Sequence, residues 1–184
     1  MSNFGWKTVF KLYTRKKFWE SSKWPLICTL VVLPVFIFST QTSLFFISEI
    51  TNLIITIIPN VLGFLLGGYA LLMGFSGSNI VETMSKSKDD KPTLYQKQNT
   101  VFAVALFALF IGLVAGLIVE LILKAQIIVP LPYADYLPIE QFNYGILSLL
   151  CYILFYAVFA IKDMVINVFN FGQLIHLKIK GKIS

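Results

Sequence analysis

The side chains able to do chemistry in this chain are few and widely spaced. Ser76 stands in the run Gly74-Phe75-Ser76-Gly77, and His176 is the one histidine. Glu120 is an ionisable group inside a long apolar run, with Lys124 four residues on, and Asn60 is an amide deep in another such run. A serine with a histidine as its base would make an acyl-transfer nucleophile. A carboxylate within a membrane would suit a proton or ion relay. An amide there must bond a neighbouring helix or line a watery path.

Position decides among these chemistries. The G-x-S-G run resembles the one around the serine of intramembrane rhomboid proteases. Those enzymes place their histidine inside a span of a larger helical core, whereas His176 belongs to a tail, so no catalytic residue is expected. The chain has no G-x-S-x-G, H-E-x-x-H or P-loop run. A single histidine with Cys28 and Cys151 on distant segments cannot close a tetrahedral metal site, and neither a metal nor a cofactor is expected. The two cysteines read as small packing residues. Glu120 precedes Lys124 in the order that favours an i,i+4 pair, and it lies toward the end of its apolar run. An ion pair at the outer membrane interface is therefore expected there.

The elements that must position these residues are written in charge. Residues 24–48, 50–81, 98–119 and 141–161 contain no Asp, Glu, Lys or Arg, and each covers the roughly 20 residues a helix needs to cross a bilayer. With 57% hydrophobic and 13% charged residues, the chain falls outside the range of soluble domains. The 15 basic residues gather between the apolar stretches: Lys7 to Lys23, Lys86 to Lys97, and Lys162 to Lys182, with Lys124 the exception. Basic segments stay on the cytoplasmic side. The expected fold is an all-α integral membrane protein of four spans, multi-pass in the bacterial inner membrane, with both termini cytoplasmic. Its parts are a cytoplasmic amphipathic helix over 1–23, spans over 24–43, 50–76, 100–123 and 142–162, a cytoplasmic loop over 77–99, an outer loop over 124–141, and a cytoplasmic helical tail over 163–184. The net charge of +6 flanks spans, where topology and anionic lipid account for it, so direct nucleic-acid binding is not expected.

Within that frame, Trp6, Val9, Phe10, Leu12 and Tyr13 fall on one face of a helix and Lys7, Lys11, Thr14 and Arg15 on the other. Such a helix lies in the headgroup layer, so Trp6, Lys7, Phe10, Lys11 and Arg15 form a candidate lipid or partner surface. Pro34 and Pro59 are expected to bend the first two spans. Gly63, Gly67, Ala70, Gly74 and Gly77 on the second span, and Ala105, Ala108, Gly112 and Gly116 on the third, step by three or four residues, which forms ridges without bulk for close helix packing within or between chains. Asn60 reads as interhelical glue. Asn167 and Asn170 fall on a slowly turning polar stripe after Lys162, which fits a helix on the inner membrane face or, if copies bundle, the lining of a cavity. The loop 126–141, with Pro130, Pro132 and Pro138, reads as an interfacial cap.

In combination, the four spans, the basic aromatic amphipathic N-terminus, the Gly63/Gly67 and Gly112/Gly116 ridges and the helical tail resemble small bacterial defence-associated membrane proteins, nearest the membrane component of the Kiwa anti-phage system. The resemblance is architectural and carries over no individual residue. It implies a homo-oligomer in the inner membrane that senses attack on the envelope and recruits a cytoplasmic protein partner. Two other classes stay open: a pore-forming or channel-type effector, for which Asn60, Asn167 and Asn170 would line the lumen, and a small ion-coupled transporter built around Glu120.

Overall fold

The computed structural model describes residues 6–74, 84–85, 92–125 and 139–180. Gly74 is described, but Phe75, Ser76 and Gly77, most of the polar loop and all of 126–138 lie outside the described residues, as does the end of the tail. Among the described residues the helices are, in order, α1 (Trp6–Leu12), α2 (Arg15–Ile37), α3 (Ser43–Gly74), α4 (Leu94–Ala125) and α5 (Ile139–Ile179), with residues 84–85 also helical. The last four are each long and apolar enough to cross a membrane, so the chain folds as an all-α, multi-pass membrane protein with four spanning helices.

Several boundaries differ from the sequence reading, each for a local reason. The first break falls at Tyr13-Thr14, because Thr14 is extended (φ −70°, ψ 151°) and its side chain accepts from the Lys17 amide, which caps α2. Residues 15–23 therefore begin the first long helix, and Arg15 heads that helix instead of ending the one before it. The chain turns between α2 and α3 at residues 38–42, where the Thr42 hydroxyl accepts from the Phe45 amide at 3.3 Å. α4 starts at Leu94, ahead of residue 100. There Thr93 and Gln96 cap each other's amides at 3.2 and 3.1 Å, a reciprocal box that fixes the helix start. Pro34 and Pro59 interrupt neither helix, and α2 also runs through Pro25.

What packs is a regular seam. On α3, Ile47, Thr51, Ile54, Ile58, Val61, Leu65 and Gly68 are all buried and alternate in steps of four and three. This is the spacing that keeps one stripe facing its neighbours in left-handed helix packing. α3 meets α5 and α4 along this stripe, while α2 is carried mainly on α5 and α1 on α4. Close fit rests on missing side chains. A Cβ on Gly116 would lie 2.7 Å from Ile54 Cγ2, and one on Gly112 would lie 2.7 Å from Ile153 Cγ2 and 3.4 Å from Ile58 Cδ1. A Cβ on Gly68 would run into the Met164 side chain. Lipid is as apolar as these residues, so dispersion across such contacts holds the helices together.

Three side-chain hydrogen bonds fix which helices pair. Tyr152 donates to Ser22 Oγ at 3.0 Å (α5 to α2), Asn143 to Ser43 Oγ at 3.2 Å (α5 to α3), and Tyr69 to Asn99 Oδ1 at 2.6 Å (α3 to α4). Buried Thr29 donates back to the Pro25 carbonyl at 2.9 Å. Thr51 Oγ1 is the exception, fully buried with no hydrogen-bond partner among the described residues.

Two substitutions separate these cases by thermal unfolding in mild detergent. Thr51→Val is expected to stabilise the protein by about 1 kcal/mol, because it removes a buried hydroxyl that nothing satisfies. Tyr152→Phe is expected to destabilise it by about 0.6–1.7 kcal/mol, the range of interhelical hydrogen bonds in membranes.

Candidate functional site

α3 has a second stripe, opposite its buried seam. Glu49, Asn52, Thr56, Asn60, Gly63, Gly67, Ala70 and Gly74 follow one another in steps of three and four, and every one of them is exposed. The first half of the stripe is polar and the second half is nearly without side chains. The Asn60 amide donates to the Thr56 carbonyl at 2.8 Å. That bond uses one of its two N–H groups, and the other, with the side-chain carbonyl, is left to whatever covers this face. At Gly63, Gly67 and Gly74 an added Cβ would meet nothing within 4 Å. The glycine series thus divide: Gly112 and Gly116 pack inside the chain, and Gly63, Gly67 and Gly74 look outward.

Asn167 and Asn170 belong elsewhere. They line a cavity of about 290 Å³ at the end of the bundle where α2 begins, together with Lys17, Glu20, Lys162 and Asp163. The four charges are already paired along their own helices, Lys17 with Glu20 at 3.3 Å and Lys162 with Asp163 at 3.0 Å. Ser21, Asp163 and Asn167 also border a narrow space shared with Tyr13 and Tyr156, and Tyr13 donates to Ser21 Oγ at 3.4 Å. Asn60 takes no part in this cavity. The three amides therefore form two separate places, a helix face and an interhelical cavity.

Glu120 meets Lys124 Nζ at 2.8 Å, with the carboxylate side chain 14% exposed and the ammonium 74% exposed. The geometry is that of an i,i+4 pair with its cation turned outward. On α1, Val9 and Leu12 are half-buried while Phe10 and Lys11 are exposed, and Arg15 at the head of α2 is exposed as well. The side chains of Trp6 and Lys7 lie outside the described residues. Cys28 and Cys151 are free thiols, half-buried and buried respectively. His176 is exposed near the end of α5, and among the described residues no three of His, Cys, Asp and Glu come together.

Sequence reasoning passed over Asn52 and Thr56, although both lie on the Asn60 register, and over Gly68, which continues the buried step pattern where Gly67 does not. Opposite outcomes are expected from two pairs of substitutions. Gly63→Ile with Gly67→Ile should keep the helical content and melting temperature of the single chain, because the space is open. Gly112→Ile with Gly116→Ile should lower the melting temperature steeply or prevent folding, because overpacking a filled seam costs about 1–3 kcal/mol per site. Circular dichroism on the purified chains in detergent checks both. No family model, curated protein or solved structure matches this chain.

Proposed function

We propose that the chain is one subunit of a homo-oligomeric scaffold or sensor of the bacterial inner membrane, which recruits a cytoplasmic protein partner in anti-phage defence. The observation that carries this reading is the outward stripe of α3. Hydrocarbon cannot hydrogen-bond the free half of the Asn60 amide. A stripe of glycines facing lipid gives up packing that a second helix would supply. Another copy of α3 satisfies both demands, because an asparagine carries its own donor and acceptor, and because G-x-x-x-G faces fit each other. Lys17, Lys162 and the exposed Lys11 and Arg15 gather at one end of the bundle, the end assigned to the cytoplasm by their charge. That basic end is the surface offered to a partner, and the resemblance to the Kiwa membrane component supplies the defence context.

The polar half of the same stripe supports a second reading, in which copies of Asn52, Thr56 and Asn60 surround a pore. Light scattering in mild detergent and flux from proteoliposomes distinguish the two. The scaffold reading expects an oligomer from the wild type, a monomer from Gly63→Ile with Gly67→Ile, a cytoplasmic protein retained in pulldown, and no ion leakage. A wild-type monomer would overturn it, and leakage abolished by Asn60→Leu would replace it with the pore.

A further inference from the structure

α2 rests on α5, and α4 rests on α3 and α5, but α2 and α4 share no extended contact. Between them lies an apolar slot of about 230 Å³. Its floor is Tyr152, Ile153 and Tyr156 of α5, and its walls are Phe18 of α2 with Val104 and Ala108 of α4. Nearby, toward the start of α4 and the later part of α5, is the charged cavity of about 290 Å³. The narrow space bordered by Tyr13 lies between them, sharing Tyr156 with the slot and Ser21, Val101, Asp163 and Asn167 with the cavity. Lys17 borders the charged cavity and its neighbour Phe18 the slot, while Val101 and Val104, about one turn apart on α4, border one each. A polar mouth thus neighbours an apolar slot inside the bundle, with that narrow space between them.

We infer that this slot binds one phosphatidylethanolamine molecule per chain, with an acyl chain between α2 and α4 and the headgroup in the charged mouth. The slot is far too small for a helix about 10 Å across and suits a single hydrocarbon chain. The mouth sets the headgroup. It offers two cations, Lys17 and Lys162, and two anions, Glu20 and Asp163, in one cavity. A phosphate exchanges onto the lysines and a primary ammonium onto the carboxylates, so all four charges keep a partner, in hydrogen bonds that are charge-assisted. Phosphatidylglycerol carries no cation for Glu20 and Asp163. Phosphatidylcholine carries a quaternary ammonium that donates no hydrogen bond to them. The site lies apart from the outward stripe of α3, so it is independent of the copy interface.

Native mass spectrometry of the full chain in mild detergent, titrated with the three lipids, tests the assignment. The expected result is one phosphatidylethanolamine per chain, held more tightly than the other two. Lys17→Ser with Lys162→Ser should weaken that lipid about tenfold and erase the headgroup preference. Both side chains are at least half exposed, so this variant should fold. Ala108→Phe should fill the slot and remove the bound lipid, while Leu121→Phe, on the 67% exposed face of α4, should not. Equal binding of all three lipids, or a double lysine variant indistinguishable from wild type, would overturn the proposal. Should Ala108→Phe fail to fold, the lysine variant decides the question alone.

Discussion

The hydrocarbon of a bilayer accepts and donates no hydrogen bonds, and each polar group in this protein is placed under that constraint. Thr29 and Thr100 donate back to carbonyls of their own helices, at 2.9 and 2.7 Å, and so leave nothing unsatisfied toward lipid. Tyr152, Asn143 and Tyr69 reach across to neighbouring helices and in doing so define which helices are neighbours. Apart from the buried Thr51 hydroxyl, which has no partner among the described residues, the polar groups with bonding capacity left over mark two places where the folded chain is unfinished. One is the face of α3 around Asn60, and the other is the charged mouth between α2, α4 and α5.

Glycine placement follows from the same medium. Without a hydrophobic drive between helices, association depends on how closely backbones approach, and a missing Cβ is what permits the approach. Gly112 and Gly116 receive Ile54, Ile58 and Ile153, and Gly68 receives Met164, so these glycines have been used within the chain. Gly63, Gly67 and Gly74 have not. α2 shows the opposite economy of contact: its buried residues Ser22, Pro25 and Thr29 are small, most of its large apolar side chains face outward, and the space it leaves beside α4 becomes the slot.

The four spanning helices were legible because long charge-free runs in so apolar a chain can be accommodated only by a bilayer. Their starts were less so. The Thr14 cap and the Thr93/Gln96 box are both visible in the sequence, yet a reading that locates helices by hydropathy alone places their ends where charge appears and not where backbone amides find partners. The glycine series were legible as packing surfaces but not as inward or outward. That distinction depends on phase against the seam from Ile47 to Gly68, which sets Gly68 inside and Gly67 outside although the two are adjacent. The charged cavity was hidden for another reason: Lys17, Glu20, Lys162 and Asn167 come from helices whose adjacency follows from the fold and leaves no local pattern.

The central claim is that the outward stripe of α3 is covered in the membrane by α3 of another copy. Disulfide crosslinking in native membranes tests it most directly, using single cysteines at Gly63, Gly67 or Leu121 in a chain carrying Cys28→Ser and Cys151→Ala. The account predicts crosslinked dimers from positions 63 and 67 and none from 121, which lies on the exposed side of α4. Crosslinking at 121 with none at 63 or 67 would contradict it.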